Sequence, residues 1–71
     1  MLTLESLLWT YLEKVSISHL TIEYGESTTE YETISDCLRN CCSTVLNSAV
    51  VDARWCWNNL IIEVERVEET N

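Results

Sequence analysis

The chain has 71 residues, enough for one domain and close to the size at which a single core is only marginally sufficient. Its apolar fraction of 46% excludes a disordered chain, and one glycine with no proline leaves little room for long or strained loops. Twelve Asp and Glu against four Lys and Arg give a formal net charge of −8, which repels phosphate and disfavours direct binding to nucleic acid or to anionic membranes.

The start of the chain is broken by Thr3, Glu5, Ser6 and Thr10 and lacks the basic stretch of a secretory leader. No segment approaches the ~18 apolar residues that would span a bilayer. The expectation is a cytosolic chain with reduced cysteines. Thr3 reads as a helix N-cap, with Glu5 placed to suit the helix dipole in the first turn. Leu4, Leu7, Leu8, Tyr11 and Val15 then recur at helical spacing, which predicts a helix from about Leu4 to Lys14. Trp9 falls on the opposite side of that stripe.

The period next changes to two. Leu20, Ile22 and Tyr24 alternate with His19, Thr21 and Glu23, the pattern of a half-buried strand. Gly25 follows where a tight turn needs it, and the β-branched run Thr28 to Thr33 is expected to return as the antiparallel partner. Thr33 or Ser35 caps a second helix, predicted to end near Asn47, whose stripe is Ile34, Leu38, Cys41 and Val45.

Ala49 to Trp57 and Leu60 to Val67 read as two strands around Asn58-Asn59, a pair suited to a type I′ turn. That loop would oppose Trp57 to Leu60, Trp55 to Ile62 and Ala53 to Val64 on an apolar face. On the other face it would oppose Cys56 to Ile61, Arg54 to Glu63 and Asp52 to Glu65. The expected architecture is α+β, a two-layer α-β-β-α-β-β domain over the whole chain. In it an antiparallel four-stranded sheet carries both helices on one face.

This layout gathers acid on the exposed sheet face: Glu23, Glu30 and Glu32 from the first hairpin, Asp52, Glu63 and Glu65 from the second, interrupted by Arg54 and His19. Alternate residues on a strand lie about 7 Å apart and neighbouring strands about 5 Å apart. Carboxylates so spaced are comparable to the close-set phosphates of nucleic acid, so a basic groove made for a nucleic-acid backbone is one candidate partner. The other reading is a solvated face whose charge serves solubility.

Catalysis has little to work with. His19 sits among Ser and Thr with no nucleophile beside it, the acids lie where nothing raises a carboxyl pKa, and one glycine cannot build a phosphate-cradling loop. Cys37, Cys41 and Cys42 form a C-x3-C-C run inside a helix, unlike a zinc knuckle, and read as structural thiols with Cys42 the most exposed. No cofactor or metal is expected. Trp55 and Trp57 are expected in the core. Trp9, Cys42 and Leu46, off the main stripes, are candidates for a homodimer or assembly contact.

In size, acidity and compact α/β layout the chain resembles small phage-encoded accessory proteins, including anti-CRISPR and other anti-defence inhibitors. The resemblance covers the whole chain without a shared motif. It implies a non-enzymatic inhibitor in the host cytosol that docks on a basic, nucleic-acid-handling surface, such as that of a CRISPR-Cas complex, and competes with DNA or RNA. The alternative is a small homo-oligomeric assembly module.

Overall fold

The computed structural model describes residues 2–66; Val67 and the polar stretch from Glu68 to Asn71 lie outside the described residues. The elements run α1 (Leu4–Leu12), β1 (His19–Tyr24), β2 (Ser27–Tyr31), α2 (Ile34–Asn40), α3 (Ser43–Leu46), β3 (Val50–Cys56) and β4 (Asn59–Val64). Both expected caps form. The Thr3 hydroxyl accepts from the Ser6 amide at 3.2 Å, and the Thr33 hydroxyl from the Asp36 amide at 3.0 Å.

The helix expected to continue to Asn47 breaks at Cys41, whose backbone is extended (φ −75°, ψ 140°), and restarts at Ser43 as α3. Asn40, Cys41, Cys42 and Ser43 are all weak helix formers, so little is lost by the break. The restart carries Leu46 into the core, where it is buried. Leu46 is therefore a core residue and not an assembly contact, contrary to the sequence expectation.

The four strands form one sheet in the order β2-β1-β4-β3. The sheet is mixed, not wholly antiparallel as expected: each hairpin is antiparallel, but the two meet through a parallel pairing of β1 with β4. In that pairing Leu20 lies beside Leu60, Ile22 beside Ile62 and Tyr24 beside Val64. Leu20, Ile22, Leu60, Ile62 and Val64 join Leu4, Leu7, Leu8, Ile34, Cys37 and Leu46 in one buried cluster. Each such large side chain removed from water contributes roughly 1.5–3 kcal/mol.

The second hairpin turns one residue earlier than predicted. Its loop is Trp57-Asn58, closed by Cys56 and Asn59, so Trp55 opposes Leu60, Ala53 opposes Ile62, Arg54 opposes Ile61 and Asp52 opposes Glu63. From Asp52 to Cys56 the pairing moves by two positions, which changes every cross-strand partner but leaves each side chain on its expected face; between Val50 and Asp52 the register shifts again and puts Val50 opposite Val64 against the core. The competing constraint is β1: its parallel register takes Asn59 into the ladder opposite His19, leaving no Asn-Asn loop.

The expectation that Trp55 and Trp57 fill the core fails. β3 is an edge strand beyond the part of the sheet that the core covers, and Trp55 remains 47% exposed, its ring 6.4 Å from that of Tyr11. Trp57 sits at the loop and is 94% exposed.

The two hairpin loops share one backbone device. In each two-residue loop the first residue has positive φ: Gly25 at +61° and Trp57 at +60°. With positive φ at the first loop position only, both match the type II′ pattern that favours glycine there. Gly25 meets that demand freely. Trp57 does not, because left-handed backbone costs a residue with a Cβ about 1–2 kcal/mol. Trp57→Gly should therefore stabilise the fold by about 1 kcal/mol, seen as a melting temperature raised by ~4–8 °C in a domain of this size. A lowered melting temperature would show that the ring supports the hairpin despite its exposure.

Candidate functional site: an acidic sheet face

The face of the sheet opposite the buried cluster is set by strand alternation. β1 presents His19, Thr21 and Glu23; β2 presents Thr28 and Glu30; β4 presents Asn59, Ile61 and Glu63; β3 presents Asp52, Arg54 and Cys56. Cross-strand register lines up Glu23, Glu63 and Asp52 on three adjacent strands. At about 4.8 Å per strand this is a compact row of carboxylates.

Arg54 organises the row. Its Nη2 donates to Glu23 Oε1 at 2.6 Å, and its Nη1 lies 3.8 Å from Asp52 Oδ2. Glu23 is on β1 and Arg54 on β3, so the side chain reaches across β4 to make the bond. Glu63, between the two acids that Arg54 engages, has no cation within 4 Å among the described residues. Glu30 takes a separate partner, the His19 ring, with Nε2 to Oε1 at 3.0 Å. These pairs are partly exposed, so each stabilises the fold by at most ~1 kcal/mol. Their clearer effect is to hold carboxylates in fixed places.

Of the six expected acids, the structure brings Glu23, Glu30, Asp52 and Glu63 together on the strands of this face. Glu32 lies just beyond the end of β2, and Glu65 just beyond β4, where its amide donates to the Ala49 carbonyl at 2.8 Å; both are exposed. Arg54 was legible as an interruption of the acidic face, but its reach to Glu23 was not, because that bond depends on the β1–β4 pairing. The other expected contact residues are elsewhere: Trp9 is 58% exposed on α1, and Cys42 is exposed as the N-cap of α3.

A shallow crevice of about 190 Å³ opens between the end of α1 and the start of α2, lined by Leu12, Val15, Ile17, Thr33 and Ile34 with two serines. No acid, base or thiol lines it. Among the described residues no three His, Cys, Asp or Glu side chains are grouped to hold a metal ion. Against known protein families, characterised proteins and solved structures, the chain finds no match in any of the three comparisons.

The cysteines are all free thiols: Cys37 is buried, Cys41 half-buried, Cys42 and Cys56 exposed. Burial pushes the Cys37 thiol up to about 12, with the neighbouring Cys41 adding to the shift. Burial also raises Cys41, while a hydrogen bond with Tyr31 works the other way, and the Tyr31 hydroxyl is itself raised by burial and by Cys41. Above the ordinary thiol pKa of 9.0 the unfolded chain holds fewer protons at Cys37 than the folded one, so stability falls with rising pH. Melting temperature should accordingly decline from about pH 9 toward 12. At pH 8, alkylation followed by peptide mass analysis should mark Cys42 and Cys56 and spare Cys37 until the chain is unfolded; early labelling of Cys37 would contradict its burial.

Proposed function

We propose that this protein is a non-enzymatic binding protein whose acidic sheet face docks on a basic, nucleic-acid-binding surface of a host complex. In this reading it acts in the cytosol as a phage-type anti-defence inhibitor of the anti-CRISPR kind. The observation that carries the reading is the aligned row Glu23–Glu63–Asp52, with Glu30 on the same face. Four carboxylates on a hydrogen-bonded sheet keep their spacing when a partner arrives, so little ordering entropy is spent on binding. Solubility requires negative charge but no alignment.

The chemistry available on the face supports binding over turnover. The acids lie on a solvated surface, His19 is engaged with Glu30, and the crevice has no ionisable side chain. The face offers a cationic partner several fixed acceptors, and Glu63 already stands without an internal cation among the described residues.

Two kinds of substitution should act in opposite directions on the same face. Reversing Glu30 and Glu63 to Lys should cut affinity for a basic partner by more than tenfold and flatten its salt dependence. Arg54→Met, which releases Glu23 and Asp52 from their internal cation, should tighten binding several-fold with less than ~1 kcal/mol lost in stability. Host-lysate capture at low and high salt identifies the partner, and calorimetry on the purified pair then reads both effects. Binding indifferent to both substitutions would refute the acidic-face reading.

A further inference from the structure

β3 is at the edge of the sheet, and its first residues are already covered by the chain's own N-terminal segment. Thr3 bridges Ala49 in antiparallel sense, the Val50 amide donates to the Leu2 carbonyl at 2.9 Å, and the Leu4 amide to the Ser48 carbonyl at 3.0 Å. Among the described residues that cover reaches Val50.

Among the described residues the edge is open from Val51 onward. A two-residue hairpin loop is closed by a pair that exchanges both ladder hydrogen bonds, here Cys56 with Asn59. Alternation then turns the backbone groups of Arg54 and Asp52 toward β4 and those of Trp55 and Ala53 away from it. Among the described residues no backbone hydrogen bond from outside the sheet reaches the amides of Ala53 and Trp55. Along the same edge Val51 is 59% exposed and Trp55 47%. The row Glu23–Glu63–Asp52 ends on this strand.

We propose that this edge receives an extended segment of the partner as an added strand, antiparallel to β3, continuing the column that Leu2–Leu4 begins. This rests on the acidic-face reading and specifies how the partner engages it. Main-chain bonds come from Ala53 and Trp55. Side-chain alternation sets the sequence the edge selects: apolar residues opposite Trp55 and Ala53, a lysine or arginine opposite Asp52, and a neutral polar residue opposite Arg54. The cation opposite Asp52 extends the row of carboxylates by one charge pair.

A second copy of the chain fits this edge less well. Asp52 would face Arg54 of the other copy only with Ala53 on the two-fold axis, and that register drives Cys56 of one copy into the place beside Val50 that Leu2 holds in the other. Registers shifted either way oppose Arg54 to Arg54 or Asp52 to Asp52, and both copies carry a net charge of −8. The charge therefore points to a cationic strand from a different chain.

The test uses a fluorescein-labelled peptide, Val-Thr-Ile-Arg-Val, whose last residue falls opposite Val51, titrated against the full chain by anisotropy. A second peptide differs only by N-methylation of the isoleucine amide, which removes the donor to the Ala53 carbonyl. Saturable binding of the first peptide is expected, weakened at least tenfold both by the N-methyl group and by Ala53→Pro. Proline is tolerated where an edge amide faces solvent, and circular dichroism checks that the variant folds. The N-methyl peptide interrogates the same bond with the protein untouched. Absence of binding, or equal affinity for the two peptides, overturns the strand addition. Loss with Asp52→Lys alone, but not with N-methylation or Ala53→Pro, overturns it too and leaves the acidic face standing. Loss with N-methylation and Ala53→Pro but none with Asp52→Lys or Glu63→Lys keeps the added strand and removes the acidic face. Light scattering that shows a doubled mass, abolished by Ala53→Pro, assigns the edge to a second copy and overturns the foreign strand.

Discussion

The parallel pairing of β1 with β4 is the contact on which the other features depend. Its six register pairs, from His19–Asn59 to Tyr24–Val64, put Leu20, Ile22, Leu60, Ile62 and Val64 on one face and carry the centre of the core. Once those strands are central, β2 and β3 become edges, the second loop falls at Trp57-Asn58, and Glu23 is brought into line with Glu63. Truncating Leu20 or Leu60 in this zone would cost several kcal/mol, a large share of the stability a 71-residue domain can hold.

The same contact explains why an acidic surface can be ordered without destabilising its own sheet. Three carboxylates on adjacent strands repel one another, and like charges directly opposite are unfavourable in a ladder. Arg54 offsets part of that repulsion by reaching over β4 to Glu23 while staying near Asp52, and the core beneath supplies the rest. The acids are held by burial on the other face more than by their own pairing.

Local signals in the chain were sufficient for the strands and the helix starts, but not for the break at Cys41 that separates α2 from α3. Thr3 and Thr33 marked the helix starts, Gly25 the first loop, and period-two alternation put Glu23, Glu30, Asp52 and Glu63 on the exposed face. From Asp52 to Cys56 face assignment survived a wrong loop because the register error was two residues, and parity is insensitive to that. What could not be read was the join between hairpins. Alternation says which way a side chain points and nothing about which strand lies beside it. The composition of β2 (Ser27-Thr28-Thr29-Glu30-Tyr31) suits an edge, and the aliphatics of β1 and β4 suit a centre. Whether those inner strands run parallel depends on the path through α2 and α3, which is a tertiary matter. The tryptophans were misplaced for the same reason: bulk and apolarity argue for the core only where the sheet is covered, and β3 is not.

Trp57 shows how these constraints combine. A bulky residue at positive φ and 94% exposed is unfavourable both to the backbone and to solvent, and nothing in the hairpin compensates it visibly. The neighbouring loop shows what the fold itself prefers at the equivalent place, since Gly25 adopts nearly the same φ without penalty. Strain of this kind persists where the surroundings over-determine it or where the side chain serves something outside the fold. Trp57 ends the strand whose outer amides are open and whose Asp52 terminates the acidic row. The exposed Trp57 ring adds apolar surface at the loop end of that edge. The strained loop, the open edge and the aligned acids thus meet on one strand, each placed there by the pairing of β1 with β4.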